Sequence, residues 1–336
     1  MAQNTITGIA FRCQAADGYG LGGFAWRHEE PSLTPRPVII INAATSVRCQ
    51  YYWRFADYLF GHGADVLIYD YRGIGTSAPP NLRRLTAGWL TWGECDFEAI
   101  LQYALLQFPG QPIRVVGHSV GGVLIGLAPS NTSIDRALTM GAQHAYWPDY
   151  LACVRWRMWA KWHVLMPAIT RVMGYFPGKR LGWLEDTPAG VVQDWGAKQT
   201  RFVDTYRQPG GSCLLAPAVC DALQRRFASF KASLLAVSVS DDPYGTTPAI
   251  ERLLQNFSGA PRWHLRLSAE TMISNAPASK PIGHFAFFHQ RFEHDLWPIA
   301  RDWLLTEKLP DHPLGTLTPF ADDHDIVPAT RAQPML

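Results

Sequence analysis

Ile113-Arg114-Val115-Val116-Gly117-His118-Ser119-Val120-Gly121-Gly122 decides how the chain is read. Residues 113–116 form a short apolar run with the character of a strand, and 122–127 form an apolar, glycine-bearing stretch that suits a helix. Between them lies a G-x-S-x-G, so the serine falls on a strand-turn-helix junction, the context of a nucleophile elbow. Such a turn brings backbone segments close together and tolerates only small neighbours, which Gly117, Gly121 and Gly122 supply. The bare pattern arises by chance in glycine-rich chains; its placement gives it weight.

Outward from this point, strands and helices alternate. An opening antiparallel hairpin is expected over 8–13 and 21–26, then strands at 38–41, 66–69, 113–116, 138–140, 234–239 and 263–267. Helical stretches lie at 51–60, 92–108, from Ser119 onward, 248–256 and 288–305. Short apolar strands separated by helices of this length indicate βαβ units and a mostly parallel sheet flanked by helices, the α/β class. The stretch 145–211 breaks the pattern. It carries Trp147, Trp156, Trp159, Trp162, Trp183 and Trp195 with Pro167, Pro177 and Pro188, and no strand-like alternation. It is read as an inserted helical cap, which divides the chain into a core at 1–144, the cap at 145–211, the rest of the core at 212–308 and an irregular tail at 309–336.

A nucleophilic serine needs a base and an orienting acid. The run 234–239 leads into Ser240-Asp241-Asp242-Pro243, which sets carboxylates at the carboxyl end of a strand, although an Asp-Asp-Pro also makes an ordinary turn. Asp242 is preferred because it stands directly before a proline-bearing turn, with Asp241 as the alternative acid. His284, in Pro281-Ile282-Gly283-His284-Phe285, follows the last strand of the core and is the expected base. His289 and His294 are placed on the last helix and His118 is given a structural role. Oxyanion donors are expected at the Val120 amide, directly after the serine, and in Asn42-Ala43-Ala44-Thr45, where Ala44 is preferred and Thr45 is the alternative. The glycine-rich Asp70-Tyr71-Arg72-Gly73-Ile74-Gly75-Thr76-Ser77 lacks the context of a phosphate loop and is read as a structural turn. Asp325-Ile326-Val327-Pro328 imitates an acid loop but comes after the histidine without a strand before it.

Composition narrows the classes. Net charge is +2, and the basic residues of 155–161 are interleaved with tryptophans, so no nucleic-acid partner is expected. With 47% hydrophobic and 17% charged residues, the chain can bury a large core. Six dispersed cysteines without a C-x-x-C pair read as reduced thiols of a cytoplasmic protein, and neither a signal peptide nor a membrane-inserting segment is recognised.

Taken together, the Asn42 to Thr45 loop, the Asp70 to Ser77 turn, the Gly117 to Gly122 elbow, Gly283-His284-Phe285 and Gly174-Tyr175-Phe176-Pro177-Gly178-Lys179 resemble a group of predicted bacterial α/β-hydrolases with a helical cap. The resemblance spans about 8–305 and implies the α/β-hydrolase fold, a Ser119, Asp242, His284 triad and acyl chemistry without metal or organic cofactor. His-Gly, usual in the oxyanion loop of that fold, is here Asn42-Ala43. The expected reaction is hydrolysis, through an acyl-enzyme on Ser119, of an ester, thioester or amide of a small molecule with an apolar acyl or aryl part, bound by the cap through Trp159, Trp162 and Tyr175. An acyltransferase with the same triad, or a non-catalytic ligand-binding module, are the alternatives, and a homo-oligomer is compatible with the sequence.

Overall fold

The computed structural model describes residues 8–30, 35–270, 281–309 and 315–321. Ile9–Gln14 (β1) and Gly20–Trp26 (β2) pair as an antiparallel hairpin. Val38–Asn42 (β3) and Asp65–Tyr69 (β4) are buried at every position. A run of β-branched and aromatic residues with no polar face suits a strand covered on both sides. Ile113–His118 (β5) and Ile134–Met140 (β6) come next, then Tyr175–Phe176 (β7) with Thr187–Pro188 (β8), a small antiparallel pair apart from the main sheet. Ser233–Val239 (β9), Arg262–Leu267 (β10) and Gly315–Pro319 (β11) complete a nine-stranded sheet in the order β1-β2-β4-β3-β5-β6-β9-β10-β11.

From β4 through β10 neighbouring strands run parallel, and antiparallel pairing is confined to the two edges. This is the mostly parallel sheet, flanked by helices, that the alternation implies. The chain order reverses between β3 and β5, which lie side by side with Asn42 opposite Gly117. In parallel sheets such a reversal opens a crevice at the strands' carboxyl ends, and ligands bind there. Between β6 and β9 the chain leaves the sheet through helical segments that include Arg155–Trp159, Met166–Met173 and Ala189–Gly196.

Three expectations need correction. The tail contributes a strand, since β11 pairs antiparallel with β10 along its length. Its prolines suggest irregularity, yet an edge strand bonds on one side only and tolerates Pro319 at its end. The last helix is Trp297–Thr306 and not 288–305. Pro298 sits in its first turn, where a missing N–H costs nothing, and that marks the start. His289 and His294 therefore lie before the helix, His289 accepting from the Arg291 amide. Residues 325–328 are outside the described residues.

Candidate active site

Ser119 comes directly after β5, with φ 54° and ψ −120°, a conformation that a non-glycine residue holds only under constraint. The constraint is visible: its amide donates to the Met140 carbonyl at 3.0 Å, and the helix Val120–Leu127 begins at the next residue. A Cβ on Gly117 would stand 2.6 Å from the Gly122 backbone, and one on Gly121 would strike the Asn42 carbonyl. Close approach thus accounts for both glycines of the motif.

His284 and Asp242 meet at the carboxyl ends of β9 and β10. His284 Nδ1 lies 2.7 Å from Asp242 Oδ2, and both residues are buried. Asp242 also accepts from the Tyr244 amide at 2.8 Å. Burial alone would raise the Asp242 pKa, but the charge and hydrogen bond of His284, with the Gly245 and Tyr244 amides, outweigh it and hold the group below the usual carboxylate value. Asp241 faces elsewhere. Its carboxylate accepts from the amides of Ile282 and Gly283, each at 2.9 Å, and so fastens the loop that carries His284.

Three fully buried tyrosines hold the loop after β3. The Tyr69 hydroxyl donates to Asn42 Oδ1 at 2.8 Å, Tyr71 donates to the Ala43 carbonyl at 2.9 Å, and the Tyr52 oxygen accepts from the Ala44 amide at 2.9 Å. Tyr52 continues to His118 Nδ1 at 2.6 Å, and His118 Nε2 to the His284 carbonyl at 2.8 Å. A carbonyl only accepts, so Nε2 carries the proton and Nδ1 accepts from Tyr52. Burial holds the His118 pKa down at about 3, which keeps the ring neutral in this chain of bonds. His118 thus joins the loop after β3 to the segment that carries His284. The expected donor Ala44 is corrected by the same chain: its N–H is already committed to Tyr52. Thr45, the next residue, has a buried Oγ1 without a hydrogen-bond partner among the described residues.

Residues 34–256, more than half of the chain, match the family model described as serine aminopeptidase, S33. The chain belongs to this family of α/β-hydrolases. No curated protein matches its sequence. Solved structures share the fold at low identity. The esterase Pf2001 of Pyrococcus furiosus is 13% identical with a TM-score of 0.52, over 88% of this chain and 91% of that one. DcsB, solved with a substrate analogue, is 13% identical with a TM-score of 0.57, over 89% and 99%. A cold-adapted esterase from an Arctic intertidal metagenomic library is 14% identical with a TM-score of 0.50, over 90% and 95%.

In this S33-family hydrolase, Ser119 and His284 open onto one cavity of about 170 Å³, shared with Ala44 and Thr45. Its remaining walls are Lys161, Trp162, Trp183, Leu184, Trp195, Tyr244 and Phe285. Of the three cap residues expected there, only Trp162 is present. Trp159 packs against Trp147 and Trp156, and Tyr175 lines a separate, more polar depression with Arg83 and Lys179. Residues three apart already drift around an α-helix, about 60° per step, and a π-helical turn, Ala160–Leu165, adds further rotation between Trp159 and Trp162, so the stripe does not stay on one face. Trp183, Trp195, Tyr244 and Lys161 are cavity residues that the sequence pattern does not mark as ligand contacts; Tyr244 had a local signal, two residues after the acid. Among the described residues no cluster of His, Cys, Asp and Glu is placed to hold a metal ion, and no helix is long and apolar enough to cross a membrane. All six cysteines are free thiols.

Proposed function

We propose that this S33-family hydrolase cleaves an ester or thioester of a small, mainly apolar acyl or aryl substrate through an acyl-enzyme on Ser119. The observation that carries the reading is the constrained Ser119 sharing a cavity with His284, whose Nδ1 is 2.7 Å from Asp242. His284 takes the Ser119 proton as the hydroxyl attacks the acyl carbonyl, then returns it to the leaving group, and water releases the acid by the reverse sequence. Asp242 stabilises the imidazolium and fixes its tautomer. Val120, through its amide, and Thr45 supply the donors for the oxyanion. A volume of about 170 Å³ walled by indole, phenyl and phenol rings suits a short acyl chain or one ring, since a cavity of about 150 Å³ accommodates a benzene. Esterases among proteins of the same fold agree with this chemistry.

A fluorophosphonate probe tests the reading directly. The wild-type protein should label at one serine, and Ser119→Ala should lose both labelling and about three orders of magnitude or more of esterase turnover. Labelling that survives in Ser119→Ala moves the nucleophile elsewhere.

A further inference from the structure

The cavity contains one feature that acyl transfer does not use. Lys161 reaches its wall, with Nζ 4.0 Å from the centre of the Trp183 ring and 4.4 Å from that of Trp162. Two ring faces fix the position of an ammonium without offering it a carboxylate, because a ring attracts the charge but does not replace an anionic acceptor. Two other lysines of the chain are answered. Lys179 pairs with Glu185 at 2.9 Å, and the buried Lys198 lies near Asp194 with its Nζ 3.4 Å from the Tyr206 hydroxyl. Lys161 makes no ion pair among the described residues, and no Asp or Glu lines the cavity there. The lone cation in an aromatic pocket is therefore held ready for an anion that comes with the ligand.

We propose that the substrate carries an anionic group, a carboxylate, on its apolar acyl or aryl body, and that Lys161 binds it. This rests on the acyl-enzyme reading for which bond is cleaved, but the anion site can be measured without turnover. The carboxylate accepts from the ammonium, the rings of Trp162 and Trp183 flank the apolar part, and the ester carbonyl is presented to Ser119. No proton changes hands at Lys161, so it is a specificity residue.

The test compares 4-phenylbutyrate with its neutral amide by titration calorimetry and tryptophan quenching, in wild type, Lys161→Met, Lys161→Gln and Lys161→Arg. Wild type should bind the carboxylate about tenfold more tightly than the amide, as one charge-assisted hydrogen bond provides. Raised salt should shrink that preference. Lys161→Met and Lys161→Gln should abolish it and Lys161→Arg should retain it, with unchanged thermal melts showing that the variants fold. Equal affinity for both probes in wild type overturns the proposal. A preference that persists in Lys161→Met also overturns it, by placing the anion at the oxyanion donors. A second arm uses mono-4-nitrophenyl adipate against the neutral 4-nitrophenyl 6-methylheptanoate. The ratio of their kcat/KM values should exceed one in wild type and fall about tenfold in Lys161→Met. Cleavage of both esters with no charge preference refutes the anion site and spares the hydrolase reading. Carboxylate preference in a protein that neither labels nor turns over does the reverse.

Discussion

Asp241 and Asp242 are adjacent, yet the turn after β9 sends one carboxylate to the His284 ring and the other to the amides of the His284 loop. Their substitutions should separate accordingly. Asp242→Asn should lower kcat by about a thousandfold to ten-thousandfold, because the imidazole loses both its tautomer and the partner of its positive form. Asp241→Ala leaves two amide donors unanswered, each costing about 1–3 kcal/mol where buried, and should loosen the loop with a smaller loss of turnover and a lower melting temperature. Asp241→Asn keeps an accepting oxygen and should be milder still. Steady-state kinetics beside thermal melts distinguish the two roles; the opposite ranking would make Asp241 the acid. Thr45 poses a separate question. Its Oγ1 is buried at the cavity wall and unpartnered among the described residues, so Thr45→Val, which keeps the shape and deletes the hydroxyl, should reduce kcat about a hundredfold with little change in KM if that hydroxyl serves the oxyanion. An unchanged kcat returns the role to a backbone amide.

At the scale of elements, the features legible in the sequence are those set by local chemistry. The elbow is written in five consecutive residues whose glycines answer close backbone approaches, Gly117 to the next turn and Gly121 to the Asn42 carbonyl, and Asp242 follows β9 and His284 follows β10 in the order the fold requires. Features that depend on distant partners are not legible. Nothing in Asn42-Ala43-Ala44-Thr45 reveals that the Tyr52 oxygen takes the Ala44 amide, and nothing in the spacing of Trp156, Trp159 and Trp162 reveals the π turn that separates them. Both misplacements give measurable differences. Trp162→Ala should change the order of preference in a series of acyl chain lengths, whereas Trp159→Ala should leave that order intact while weakening the Trp147 cluster; if Trp159→Ala alters the profile instead, the cavity wall is misplaced. Tyr52→Phe removes the bridge between the loop after β3 and His118, strands the Ala44 amide and His118 Nδ1, and should destabilise the fold by about 1–3 kcal/mol per abandoned group. Chemical denaturation measures it, and an unchanged midpoint would show that the chain of bonds does not hold the loop.

Over the whole molecule, the parallel sheet and its coverings bury three histidines that must stay neutral. Burial is the main cause in each case, pushing His118 and His144 down to about 3 and His264 to about 4, from an ordinary value of 6.5. Lys198 adds to the effect on His144, and Arg266 to that on His264. His264 bonds to the Ser238 hydroxyl at 2.7 Å, and His144 has a buried Nδ1 with no partner among the described residues. In the unfolded chain these rings take up protons as pH falls through 6.5, whereas the folded chain refuses them until about 4 or 3. The unfolded state thus binds more protons across that interval, and stability falls with falling pH. Three such groups set a limiting slope of about 4 kcal/mol per pH unit. Folding should therefore be insensitive to these groups above about pH 7.5 and weaken steeply between pH 6 and pH 4, before most carboxylates are protonated. The Asp242 pKa is displaced in the same direction, below 3.8, so its contribution also falls with falling pH but is lost only below that range. Denaturation midpoints at pH 7.5, 6, 5 and 4.5 measure the slope, and His144→Phe should flatten it by one proton because the ring it replaces cannot charge in place. Midpoints that stay level from pH 7.5 to 4.5, or a His144→Phe slope equal to that of wild type, would mean that these rings accept protons within the folded core.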